Sequence, residues 1–229
     1  LGQAFFSLSL GMGAMITYGS YLSEKENLTS CTLYVVMFDT LIALMVGMVI
    51  FPAVFAMGLE PTEGPGLVFS VLPTVFAYMP LGHGVAVIFF ILLAIAAITS
   101  GISLLEVVVA YFIDQRGWQR KRAVLVVGSA IFEIGIPSGL SFGIMADVKL
   151  LGMTFFDHID NIASNYLLPL GGMLTAIFVG WVWGTKSAHE EIEKYENIFG
   201  FPWVQSWEFL IRYITPIAVG IVFIAKILP

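Results

Sequence analysis

The chain has 229 residues, 59% hydrophobic and only 11% charged, with a mean hydropathy of +0.93 and a formal net charge of −6. A soluble domain carries about 25% charged residues, so there are too few charges here to cover a water-facing surface, and the bilayer is the solvent. The acidic balance, with no basic patch interleaved with aromatics, argues against a nucleic-acid partner, and the single cysteine, Cys31, excludes an intrachain disulfide and a cysteine-based metal or redox motif.

In lipid only helices or closed barrels satisfy every backbone polar group. A barrel would show segments of roughly 10 residues alternating apolar and polar. The apolar runs here are long and continuous, so the expected fold class is an all-α integral membrane protein. The chain starts at Leu1-Gly2-Gln3 within an apolar run, with no charged leader before it. It is read as a piece of a longer polypeptide. A spanning helix needs about 20 mostly apolar residues. In chain order the expected helices are 1–21, 31–57, 83–114, 120–145, 160–184 and 205–228, forming a single transmembrane unit over 1–229. The first is interrupted at Ser9-Leu10-Gly11-Met12-Gly13. Between the second and third, Glu60-Pro61-Thr62-Glu63-Gly64-Pro65 and the amphipathic Leu67 to Tyr78 predict a helical loop outside the membrane, over 58–82. After the fifth, Ser187 to Asn197 predicts a short surface helix ended by Gly200-Phe201-Pro202.

Lys and Arg placement sets the orientation. With these helices, Lys25, Arg116, Arg120, Lys121, Arg122, Lys186, Lys194 and Arg212 share one side, and Lys149 and Lys226 take the other. The first side is expected to be cytoplasmic.

Several residues do not belong in lipid. Gly11 and Gly13 weaken the first helix by roughly 1 kcal/mol each relative to alanine. Either the helix unwinds there, or the glycines serve close packing with another helix. An unwound bend would offer N–H groups of its second half to an anionic ligand group and carbonyls of its first half to a cation. Asp39, a few residues into the second span, is either a cation ligand facing the protein interior or a carboxyl reaching back to the interface. Ala96, Thr99 and Ser100 share one helix face; their oxygens suit a hard cation such as Na⁺, or the hydroxyls simply bond their own helix. Glu106 and Glu133 lie at depth and are expected to be buried and partnered or protonated. His83, His158 and His189 are scattered, without metal-ligand spacing.

The stretch from Gln3 to Tyr21, Gln-Ala-Phe-Phe-Ser-Leu-Ser-Leu-Gly-Met-Gly-Ala-Met-Ile-Thr-Tyr-Gly-Ser-Tyr, resembles the sixth transmembrane helix of the neurotransmitter:sodium symporter family. Asp39 to Pro52, with Gly47, resembles the seventh helix. Phe89 to Ala123, containing Ala96-Ala-Ile-Thr-Ser100, resembles the eighth. Asp160 to Ile192, with Gly184-Thr-Lys-Ser-Ala-His-Glu-Glu-Ile, resembles the tenth, and Arg212-Tyr-Ile-Thr-Pro216 the start of the eleventh. The resemblance covers essentially the whole chain.

It implies the C-terminal half, helices six to eleven, of a bacterial sodium-dependent amino-acid transporter: half of an inverted-repeat sodium symporter fold with a discontinuous first helix. The expected activity is sodium-coupled symport by alternating access, in the bacterial plasma membrane. Expected partners are the amino-acid substrate, sodium, the bilayer and an N-terminal half (helices one to five), with Na⁺ as coupling ion and no cofactor. By the same resemblance, Ser7 and Asp39 are implied at one sodium site, and Ala96, Thr99 and Ser100 at a second. Phe6, Ser9, Gly11, Met12, Gly13, Ser100 and Leu104 would line the substrate. Phe6 and Asp160 would belong to the outer gate, Tyr21 and Asp114 to the inner one. Gln3, Ser7 and Asp39 match the family's chloride site. Asp39 stands where many members have Asn and Ala43 where some chloride-independent members have Glu, so the expectation is chloride-independent transport. Met12 and Leu104 suit a hydrophobic or aromatic side chain. Two other readings stand beside this one. A membrane-embedded enzyme would use Asp39, Glu106 or Glu133 as acids, but no nucleophile–base pair is visible. A structural or channel subunit would be expected to repeat a pore-lining pattern, and none is found.

Overall fold

The computed structural model describes residues 6–23, 26–58, 64–193 and 204–227. Gln3, Lys25, Lys194 and the Glu60–Glu63 stretch fall outside them. The chain divides into two compact units, one of Leu1–Tyr34 with Ser103–Pro229, the other of Val35–Ile102.

Among the described residues the secondary structure is helical apart from one isolated β-bridge between Leu150 and Met153. Five helices are long and apolar enough to cross a membrane: α2 (Leu28–Ala56), α4 (Gly82–Arg116), α5 (Arg120–Leu140), α6 (Phe155–Ile192) and α7 (Ser206–Ala225). The chain is a multi-pass membrane protein. Two shorter helices, α1 (Ala14–Gly19) and α3 (Leu72–Tyr78), complete the set used below.

The first segment is discontinuous. Phe6 and Ser7 are helical, residues 8–13 form turns and bends, and the helix resumes at Ala14. The break is set by two left-handed backbone positions, Ser9 at φ 53° and Gly13 at φ 80°. A left-handed residue cannot continue a right-handed helix. Gly13 then serves as the N-cap of α1, and its carbonyl accepts both the Thr17 N–H at 3.0 Å and the Thr17 hydroxyl at 3.1 Å.

In the same unit, α4 and α5 form a tight helical hairpin. Gly117, at φ 63°, closes α4: its N–H donates to Ile113 at 3.0 Å, and the Trp118 N–H donates to Phe112 at 3.2 Å. This doubled closure satisfies the last carbonyls of the helix. Trp118 stacks on Phe112 at 4.6 Å, and the Arg122 guanidinium lies over Trp118 at 4.7 Å. Val109, Ala123 and Val127 bury one another beneath that turn. After α5, the Ser141 hydroxyl donates to Pro137 at 2.8 Å and accepts the Phe156 N–H at 3.2 Å, tying the end of α5 to the start of α6. The start of α6 carries a reciprocal cap between Thr154 and Asp157.

Gly184, at φ 91°, ends the π-helical stretch Phe178–Gly184 of α6. The helical turns Thr185–Glu193 that follow cover the described part of the stretch read from sequence as a separate surface helix, whose residues 194–197 lie outside the described residues. α6 contains two π-helical stretches, Ile162–Leu167 and Phe178–Gly184, and α7 contains one, Leu210–Ile214. α6 and α7 pack together through buried Ala176 and Val219, with Tyr166 edge-on to Phe223 at 6.2 Å.

In the second unit, a π-helical turn over Leu67–Val71 leads into α3; the turn lies on the start of α4 through Phe69–Phe90 at 6.1 Å, and α3 does so through Phe76–Phe89 at 5.3 Å. Gly82 is required there, because a Cβ would fall 1.7 Å from the Phe76 carbonyl oxygen. The most apolar stretches of α2 and α4 are 0% buried within this chain. Such surface needs lipid or further polypeptide to cover it.

Candidate functional site

The strongest geometry gathers around the broken segment. The unwound backbone lies against the middle of α6. A Cβ on Gly11 would sit 2.2 Å from the carbonyl oxygen of Leu168, and one on Gly171 would sit 2.1 Å from the carbonyl oxygen of Gly11. Gly13 faces Val107 of α4, its missing Cβ 3.2 Å from that side chain. The break is therefore held from two sides. Ser9, Gly11, Met12 and Gly13 are all half-buried, whereas Phe6, Ser7 and Leu104 are exposed. A strand of backbone between two half-helices presents peptide groups sideways, and in a bilayer that is tolerated where it lines a cavity or meets a ligand.

Below the break, α1 is pinned to α4 by side chains. The Tyr18 hydroxyl donates to Ser103. One turn on, the Tyr21 hydroxyl donates to Glu106 at 2.6 Å. Arg120, from the start of α5, grips the same carboxylate with both guanidinium ends, at 3.0 and 2.6 Å. The Glu106 side chain is 14% exposed and that of Arg120 62%, so the carboxylate is fixed inside and the cation reaches it from outside. Glu106 thus meets the expectation of a partnered carboxylate. Glu133 does not: it is exposed on α5, and no partner is seen among the described residues. Asp114, named with Tyr21 for the inner gate, is exposed, and the structure brings Glu106 rather than Asp114 to Tyr21. Asp160 is exposed at the start of α6 and accepts a hydrogen bond from Ser164 at 3.0 Å.

In the second unit, the Thr99 hydroxyl donates to the Ala96 carbonyl at 2.9 Å, which places two of the expected cation-binding oxygens side by side. Ala96, Thr99 and Ser100 are exposed within this chain; Asp39 is half-buried on α2. No cluster of three or more His, Cys, Asp or Glu side chains able to hold a metal occurs among the described residues.

Sequence reasoning left three participants unassigned. Arg120 was counted only for orientation. Ser103 was not considered. The Gly171-Gly172 pair on α6 was not considered; its match in size to the Gly11 bend was the available signal.

The family model described as the Sodium:neurotransmitter symporter family matches residues 1–229. The chain is 39% identical to the uncharacterized sodium-dependent transporter YhdH of Bacillus subtilis, over 98% of this chain and 49% of that protein. It is 36% identical to an uncharacterized sodium-dependent transporter of Haemophilus influenzae, over 99% of this chain and 49% of the other. The crystal structure of MhsT in complex with L-phenylalanine superposes with a TM-score of 0.88 at 48% identity, covering 99% of this chain and 51% of MhsT. The chain thus spans about half the length of the relatives it matches, and its fold is half of that symporter architecture.

Proposed function

The chain belongs to the Sodium:neurotransmitter symporter family, and from that premise we propose that it forms the second half of a transporter coupling Na⁺ entry to symport of an amino acid with a hydrophobic or aromatic side chain. The observation that carries the reading is the break between Ser9 and Gly13, left-handed at both ends and clamped by Gly171 and Val107. A bend held this firmly keeps its peptide groups available to a ligand instead of to the helix. In this reading Phe6, Ser9, Gly11, Met12, Gly13 and Leu104 form the first unit's wall of the substrate site. Met12 and Leu104 supply apolar, adaptable surface for the side chain.

The second unit contributes the Ala96 carbonyl and the Thr99 and Ser100 hydroxyls as sodium ligands, and Asp39 as a further one; Ser7 is a sodium ligand from the first unit. The proximity of the Thr99 and Ala96 oxygens supports that role, since a hard cation takes several oxygens at short range. Asp160 serves the outer gate. Tyr21 and Asp114 serve the inner one, with Glu106 and Arg120 as additional members. The negative charge of Asp39 supports chloride-independent transport. The membrane is the plasma membrane of a bacterium, consistent with the bacterial relatives.

A scintillation-proximity competition assay on the full-length protein tests this. Leu, Phe, Tyr or Trp should compete for a radiolabelled amino acid in Na⁺ buffer and fail to do so when K⁺ replaces Na⁺. Sodium-independent binding, or no competition by any of the four, refutes the reading.

A further inference from the structure

Two π-helical turns meet where the end of α6 passes the start of α7: Phe178–Gly184 and Leu210–Ile214. π-turns are rare and frequent at functional sites, and the residue at the centre of the second one is Arg212. Gly180 admits its backbone, since a Cβ there would lie 3.1 Å from the Arg212 Cα. The Trp181 indole N–H donates to the Arg212 carbonyl at 3.2 Å, while the same indole lies against the guanidinium, 4.7 Å from the ring centre. Tyr213 adds a second aromatic face at 6.0 Å, nearly perpendicular to Trp181.

This box orients the Arg212 cation, and among the described residues no carboxylate stands against it. The Nε of Arg212 is buried and has no hydrogen-bond partner among the described residues. Among the described residues the ion pair is Glu106–Arg120, and no carboxylate reaches Arg212. Aromatic faces attract a guanidinium but do not accept its in-plane hydrogen bonds. A partly desolvated charge in that state calls for an anion.

The position indicates which anion. Arg212 lies roughly 9 Å along α7 from its first residue, at 1.5 Å per residue. On the orientation proposed above that is the headgroup zone of the cytoplasmic leaflet, where Trp and Tyr collect. Phe209, Leu210 and Ile214 beside it are exposed and apolar, a surface suited to acyl chains. The planar guanidinium fork matches two phosphate oxygens. We propose that Arg212, held by Trp181 and Tyr213, binds the phosphate of an anionic phospholipid of the cytoplasmic leaflet. It is a lipid site separate from the substrate site, and it rests on the orientation but not on the identity of the substrate.

Native mass spectrometry of the full-length protein in detergent tests it, with phosphatidylglycerol and phosphatidylcholine of matched acyl chains. Phosphatidylglycerol should be retained about tenfold more than phosphatidylcholine, and Arg212→Gln should abolish that preference while leaving phosphatidylcholine retention unchanged. Excess inorganic phosphate should not displace the lipid. Displacement by phosphate alone assigns the site to a free anion and overturns the proposal. Equal retention of both lipids, or full retention in Arg212→Gln, overturns it as well. Should that variant not fold, a photoactivatable phosphatidylglycerol on the wild-type protein decides. Labelling is expected within residues 178–186 and 204–216, and labelling confined elsewhere refutes the site.

Discussion

Gly11 and Gly171 fit into each other: the carbonyl oxygen of Gly11 occupies the place where a Cβ of residue 171 would project, 2.1 Å away, and Gly11 itself has no room for a Cβ beside Leu168. Because the obstacles are backbone atoms, no rotamer change relieves them. Gly11→Ala and Gly171→Ala are each expected to cost at least the roughly 1–3 kcal/mol typical of overpacking. Gly19→Ala is the control, since nothing lies within 4 Å of its missing Cβ; alanine's better helix propensity makes it neutral or stabilising. Thermal unfolding of the full-length protein in detergent reads the difference. Equal melting of Gly11→Ala and wild type would mean that the bend does not touch α6.

The two left-handed positions make a different prediction. Gly13 is at φ 80°, so Gly13→Ala carries backbone strain of about 1 kcal/mol or more. Its nearest neighbour is a side-chain methyl of Val107 at 3.2 Å and not backbone, so the loss should be smaller than for Gly11→Ala. Ser9, at φ 53°, is already strained, and Ser9→Gly removes that strain. The variant should melt at or above the wild-type temperature. If the Ser9 hydroxyl binds substrate, affinity in the competition assay falls at the same time. Lowered stability in Ser9→Gly would contradict the left-handed assignment.

The interruption of the first helix was legible because glycine spacing and polar residues in an apolar run are local signals. Two explanations stood open there, unwinding and close packing, and both hold, on different residues. Gly13 supplies the left-handed turn; Gly11 supplies the close approach. A single sequence cannot divide those roles, since the second depends on Leu168 and Gly171, far away in the chain. Ser9 was legible as the start of the interruption, but its left-handed φ was not, as that is imposed by its surroundings and not by its type. Gly184 was legible as a helix end because glycine is the residue that takes a left-handed position, and its φ of 91° separates the π-helical stretch Phe178–Gly184 from the turns Thr185–Glu193. Glu106 was recognisable as a carboxylate in need of a partner; that Arg120 supplies it follows from the tight turn at Gly117, which local sequence only partly encodes.

α1 is a short helix, and isolated short helices are marginal. Its far end is tied down by the Tyr21 hydroxyl on Glu106. Removing the tie in Tyr21→Phe, or turning Glu106 into Gln and so loosening Arg120, should speed amide hydrogen exchange across residues 14–22. The double variant should exchange no faster than the faster single one, because both break the same connection. Unchanged exchange in Tyr21→Phe would show that packing alone holds α1. If α1 belongs to the inner gate, the same variants should also raise the accessibility of a cysteine placed at Ser20.

Asp39 carries the expectation about anions. On the reading proposed above, in which the Asp39 carboxylate takes the place of a chloride ion, full-length protein should transport equally in chloride and in gluconate buffer. Asp39→Asn should then lose at least about tenfold of its uptake in gluconate, with chloride restoring part of it. Uptake by the wild type that collapses without chloride removes this role from Asp39.

Thr99 tests the sodium assignment with the smallest change of shape. Its hydroxyl donates to the Ala96 carbonyl at 2.9 Å, so two oxygens already stand next to each other on one face of α4. A hydroxyl bonded to its own helix is also common in membrane helices, and the geometry alone suits either role. The substitution separates them. Thr99→Val keeps the side-chain volume, removes one oxygen and leaves the carbonyl free. If the pair binds Na⁺, the Na⁺ concentration giving half-maximal substrate binding should rise about tenfold or more, and saturating Na⁺ should recover the maximal signal. Thr99→Ser keeps the oxygen and should stay near the wild type. If the hydroxyl serves only the helix, both variants follow the wild-type sodium curve, and the loss appears instead as a small drop in thermal stability of Thr99→Val, of the roughly 1 kcal/mol expected for one neutral hydrogen bond.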